Sequence, residues 1–149
     1  YFQNKEGIYL ELMRQTFSNV DYLVDFSHGE KGSTREKLLR FCDHAFSLFV
    51  QNIEAVRVMY AIYYGPHQGA PLFDFGAYPL KFQEGHRRLA EKGIRKGEFR
   101  KGEAEDITWA ILGAVNVAME VQLGHPEMGL GREGLARVLN LIFRGISKS

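Results

Sequence analysis

Apolar residues recur along this chain every three to four positions, and no stretch alternates apolar and polar residues long enough to describe a strand. The spacing predicts an all-α fold of six helices. The first covers about residues 5–24, with Asn4 as an N-cap residue type and Glu6 placing negative charge in the first turn. Ile8, Leu12, Phe17, Val20 and Val24 share its apolar side. A glycine-containing loop follows, and a second helix starts at Ser33 or Thr34, where Ser33 and Glu36 have the spacing of a capping box. Leu38, Leu39, Phe41, Cys42, Ala45, Phe46, Leu48 and Phe49 make that helix apolar nearly all round, the pattern of an element contacted on several sides.

A short third helix over residues 53–64 is stopped by Gly65-Pro66-His67-Gln68-Gly69-Ala70-Pro71. The fourth begins near Pro79, a residue suited to a first helical turn, and reaches about residue 96. Gly97 to Gly102 reads as a turn. The last two helices cover about 103–123 and 132–146, separated by a break at Gly124-His125-Pro126. Both are too apolar for a small domain to cover alone. Ala110, Ala114, Ala118 and Val121 on the first of them, and Leu135, Val138, Leu139, Ile142 and Ile146 on the second, predict an isologous homodimer. Its interface is a four-helix bundle contributed by the two C-terminal helices of each protomer.

Composition narrows the reading without naming a function. The 149 residues are 45% hydrophobic and 25% charged, with a formal net charge of +1, so no global basic field points to nucleic-acid binding by this segment. With one cysteine, Cys42, neither an intramolecular disulfide nor a cysteine-built metal cage can form. That usage fits a reducing cytoplasm. No apolar run approaches the roughly 18 residues of a membrane span, so no membrane partner is expected.

Candidate chemistry is sparse. Gly129-Leu130-Gly131-Arg132-Glu133-Gly134 has the G-x-G-x-x-G spacing, but no strand precedes it and no acidic partner follows about 20 residues on. It reads as a loop and helix start. His28, His44, His67, His86 and His125 are scattered, and none has the spacing of a zincin or di-iron pair. Asp25 and His28 lie three apart at a helix end, where capping accounts for them. Cys42 reads as a buried structural thiol. No nucleophile motif is present, and no metal, cofactor or enzymatic activity is expected. From His86 to Lys101 seven Lys or Arg stand against Glu91 and Glu98; a solvated face explains the excess more simply than an anion site.

The aromatics carry more. Tyr60, Tyr63 and Tyr64 fall within a turn and a half beside the Gly/Pro-rich stretch, and Phe73, Phe75, Tyr78 and Phe82 follow it. Buried tyrosine hydroxyls each need a partner, whereas a pocket with an apolar body and a few polar points uses them directly. Tyr60, Tyr63, Tyr64, Phe82, His86, Trp109, Asn116 and Met119 are the candidate lining. His86 and Asn116 orient a small, apolar or aromatic ligand, and the rings supply area.

Tyr1-Phe2-Gln3-Asn4-Lys5-Glu6-Gly7-Ile8-Tyr9 resembles the junction of TetR-family transcriptional regulators. There an aromatic-rich end of the recognition helix leads through a polar cap into Lys-Glu, an aliphatic residue and the next helix. Tyr-Phe-Gln is also the tail of a common protease-cleavage tag, but Asn4 stands where such a tag continues with Ser or Gly. The resemblance implies that residues 1–4 end a helix-turn-helix head and that residues 5–149 form the effector-binding and dimerising domain. Tyr1 and Lys5 match positions that contact DNA phosphates, contacts that orient a protein on DNA without reading its sequence. The implied function is a repressor whose operator binding, through the preceding head, is controlled by a small-molecule effector. A helical carrier or enzyme unrelated to DNA is the alternative reading.

Overall fold

The computed structural model describes residues 31–64 and 77–147, together with Glu11 and Arg14; the side chains at 59, 60, 62–64 and 77–82 fall outside that description. Among the described residues the fold is all-α. Its elements are α1 (Thr34–Gln51), α2 (Ile53–Tyr64), α3 (Ala77–Arg95), α4 (Ala104–Gly124), a 3-10 turn at Pro126–Met128 and α5 (Gly131–Ile146). The helix expected over 5–24 lies outside the described residues except for Glu11 and Arg14, which are helical and ion-paired with each other.

Helix α1 starts where its capping residues dictate. The Ser33 hydroxyl accepts from the Glu36 N–H at 3.2 Å, and the Glu36 carboxylate accepts from the Ser33 N–H at 2.9 Å. Two otherwise unsatisfied donors of the first turn are thereby paired. The near-continuous apolar surface of α1 is then used on three sides, by α3, α4 and α5. Leu38 and Cys42 enter one core with Leu89 and Ala90 of α3, Ile111 and Val115 of α4, and Leu135, Leu139 and Phe143 of α5. Full burial of each large side chain in that set stabilises the fold by about 1.5–3 kcal/mol.

The link from α3 to α4 shows how local sequence closes the bundle. Gly97 takes a left-handed conformation (φ 74°) that releases the chain from α3, and the Glu98 N–H bonds back to the Gly93 carbonyl at 2.9 Å. The next residue, Phe99, folds its ring over Gly93 and stacks on Phe143 with centroids 6.0 Å apart. A Cβ at position 93 would lie 2.3 Å from that ring, so only glycine admits it. The Glu98 carboxylate accepts from the Thr34 N–H at 2.8 Å and the Thr34 hydroxyl at 3.2 Å, and the Arg100 N–H reaches the Ile146 carbonyl at 2.7 Å. One turn thus fastens the start of α1 and the end of α5. On another side of α1, Arg132 holds Asp43 with two bonds of 2.8 and 2.6 Å, which keeps the Asp43 carboxyl below its usual range.

Helix α4 corrects one expectation. By length and composition it is apolar enough to cross a membrane, the one such helix among the described residues. Asn116 and Glu120 interrupt its apolar run without ending it. Ile107, Ile111, Leu112 and Val115 face the core, while Trp109, Ala110, Gly113 and Val117 lie on the outer face.

Candidate functional site

Seven residues apart on a helix, two side chains nearly superimpose, and that spacing separates the predicted pocket residues. Trp109 and Asn116 stand on the outer face of α4, with Trp109 61% exposed. Neither faces the interior of its own chain, which corrects their placement in an internal lining. The inward face belongs to Ile107, Thr108, Ile111, Leu112 and Val115, whose three- and four-residue spacing makes one broad stripe along the helix.

His86 and Met119 are where a site can form. His86 on α3 is fully buried. Its Nε2 lies 3.5 Å from Cys42 Sγ, and its ring meets that of Phe41 edge-on, with centroids 4.4 Å apart and planes at 70°. Phe41 and Ala45 pack with half-buried Met119 and Leu48 in a small cluster beside the main core. The structure therefore brings together one imidazole, one thiol, one thioether and one phenyl ring from three helices. Tyr60, Tyr63 and Tyr64 lie on α2 and Phe82 lies one turn before His86 on α3, but their side chains are outside those described. Tyr1, Lys5 and the stretch from 65 to 76 also lie outside the described residues.

The chemistry of the Cys42–His86 pair is limited by its surroundings. Burial, with a smaller contribution from the Asp43 charge, pushes the Cys42 thiol up to about 12. The pair is thus a neutral thiol against an imidazole, and not the thiolate of a cysteine nucleophile. Among the described residues no three His, Cys, Asp or Glu side chains gather as a metal would require. The arrangement offers a soft, polarisable and weakly polar wall. Nearby on α1, the buried Ser47 hydroxyl has no hydrogen-bond partner.

A concavity lies elsewhere. A cleft of about 340 Å³ between the end of α3 and the start of α4 is lined by Arg87, Glu91, Ile94, Arg95 and residues 102–105. It is polar, and its charges answer one another. Arg87 pairs with Glu91 and, at 2.6 Å, with Glu84, whose carboxyl is drawn down to about 2 by Arg87 and then Arg88. It lacks the apolar body of a ligand pocket.

The predicted interface residues divide. Leu135 and Leu139 are 2% and 1% exposed within their own protomer and belong to its core, which corrects their assignment to a dimer contact. Ala114, Ala118, Ile142 and Ile146 are half-buried against that core, and Val121 and Val138 are half-buried as well. Ala110 is exposed. Periodicity missed two exposed apolar residues on these helices, Val117 and Leu141, at 59% and 65% exposure. A scan against protein-family models and searches of curated proteins and solved structures return no match to this chain.

Proposed function

We propose that the chain is the effector-sensing and dimerising part of a TetR-like transcriptional repressor. The observation that carries this reading is the outer face of α4 and α5, two adjacent helices that leave Trp109, Val117 and Leu141 uncovered. Two such faces related by a two-fold axis make a four-helix bundle. The family resemblance of residues 1–9 supplies the rest: a DNA-binding head ahead of the first helix, and Tyr1 and Lys5 against phosphates. The effector is a small apolar or aromatic molecule, with His86 and Met119 the contacts favoured among the described residues and Tyr60, Tyr63, Tyr64 and Phe82 the further candidates. Trp109 and Asn116, which face outward, act at the dimer contact.

Binding shifts the population toward a dimer in which the two heads no longer match half-sites roughly 34–36 Å apart. Effector must prefer that state, because equal affinity for both shifts nothing. The test is a thermal-shift screen of lipophilic and aromatic compounds on the chain. Stabilising compounds are expected, and Tyr63→Ala and His86→Ala should weaken their effect. A broad screen without a stabiliser, on a chain that sediments as a monomer, would end the proposal.

A further inference from the structure

The turn between α3 and α4 holds two helix ends that are distant in sequence, and it holds them with opposite charges. At the start of α1, the Thr34 N–H is one of the donors that the helix itself leaves unpaired. Glu98 accepts from it at 2.8 Å and from the Thr34 hydroxyl at 3.2 Å, across 64 residues of chain. A carboxylate suits that positive end of the helix dipole. At the end of α5, the Ile146 carbonyl accepts from the Arg100 N–H at 2.7 Å, and the Ser147 carbonyl accepts from Arg100 Nε at 3.3 Å. A guanidinium suits that negative end. Between the two, buried Phe99 stacks on Phe143 of α5 and forms an isolated β-bridge with Ser147.

Glu98, Phe99 and Arg100 are consecutive, and the chain that carries them has little freedom. The Glu98 and Phe99 N–H groups both bond the Gly93 carbonyl, at 2.9 and 3.2 Å, and the Phe99 ring is closed against Gly93. A shift in the last turn of α5 therefore moves Phe99 and Arg100, and Glu98 with them. We infer that residues 98–100 are a clasp that makes the first turn of α1 respond to the position of the last turn of α5. The helices also meet through Arg35 and Asn140 at 2.6 Å and through Arg132 and Asp43. Of these three links only the clasp bonds backbone at both helix ends. It gives any partner that displaces α5 a route to the chain that leads into α1. The inference concerns the single folded chain and holds whether or not α5 meets a second copy.

The test is amide exchange at Thr34, read by NMR, with the Ile111 and Val115 amides in the core as the measure of global opening. The perturbation is Ser147→Pro. The φ of −65° at Ser147 already suits proline, which removes the 2.8 Å bond from the Ser147 N–H to the Phe143 carbonyl and drives Ile146 out of the helical region. It should speed Thr34 exchange about tenfold relative to the core amides. Glu98→Ala should do the same, and the two together should do no more than either alone, because both open one link. Should Glu98→Ala not fold, Glu98→Gln, which keeps one acceptor oxygen, carries the same comparison. Arg132→Ala breaks the exposed pair and should leave Thr34 exchange unchanged. Thr34 exchange unmoved by Ser147→Pro, or a full Ser147→Pro effect added on top of Glu98→Ala, overturns the inference.

Discussion

Cys42 shows how much of a residue's behaviour is tertiary. Its place on an apolar helix is enough to predict a buried thiol, and it is buried. Its partner is not predictable, because His86 is 44 residues away and only the packing of α1 on α3 brings them together. Burial raises the thiol from 9.0 to about 12, and the sign of the consequence follows. Above pH 9 the unfolded thiol gives up its proton while the folded one keeps it, so rising pH favours unfolding until the folded thiol also ionises. Cys42 therefore contributes stability that is complete below pH 9 and is lost between 9 and about 12, by about 1.4 kcal/mol per pH unit. Urea unfolding of wild type and Cys42→Ala should show it. The wild type is the more stable at pH 8, and the gap should shrink by about that amount at pH 10. Parallel pH profiles for the two proteins would mean that the thiol is not held neutral.

At the scale of elements, boundaries were the most legible part of the chain, because caps and turns are local. Ser33 and Glu36 mark the start of α1, and Gly97 marks the end of α3, each by chemistry confined to a few residues. Which face of α4 turns inward was legible only in part. Both faces are apolar, so the spacing that places Ile107, Ile111 and Val115 inward, where they are, also gave an inward role to Trp109, which is exposed. The contact of Phe99 with Gly93 yields a prediction whose sign depends on context. Alanine in a helix is better than glycine by about 1 kcal/mol. Gly93→Ala should nevertheless destabilise the protein by about 1–3 kcal/mol, because its methyl group must displace a ring stacked on Phe143. In a Phe99→Ala background the ring is gone, and the same substitution should become neutral or stabilising in chemical denaturation. The Asp43–Arg132 bond joins α1 to α5 with good geometry but lies in solvent, and Arg132→Ala should leave the denaturation midpoint nearly unchanged.

The whole molecule is defined by what its last two helices leave uncovered. Helix α4 is 21 residues long and α5 is 16, so their outer faces run about 24–32 Å. That is enough for two protomers to bury the roughly 1,200–2,000 Å² of a specific interface. Small residues at Ala110 and Gly113 let another helix approach closely, and nothing lies within 4 Å of a Cβ built at Gly113. Trp109 is the only tryptophan and stands 61% exposed on this face, so its fluorescence tests the proposed dimer directly. In the dimer its emission should lie to the blue of free indole in water and move to the red as the protein is diluted through its dissociation range. Leu141→Glu and Val117→Glu should give monomers by light scattering with red-shifted emission. Their far-ultraviolet circular dichroism should match wild type, because both side chains point away from the protomer core. The two substitutions act on different helices, so a monomer from each would require α4 and α5 to share one interface. Wild-type protein that scatters as a monomer at tens of micromolar with water-like emission would leave the outer face without a second copy, and the four-helix arrangement would have to be given up.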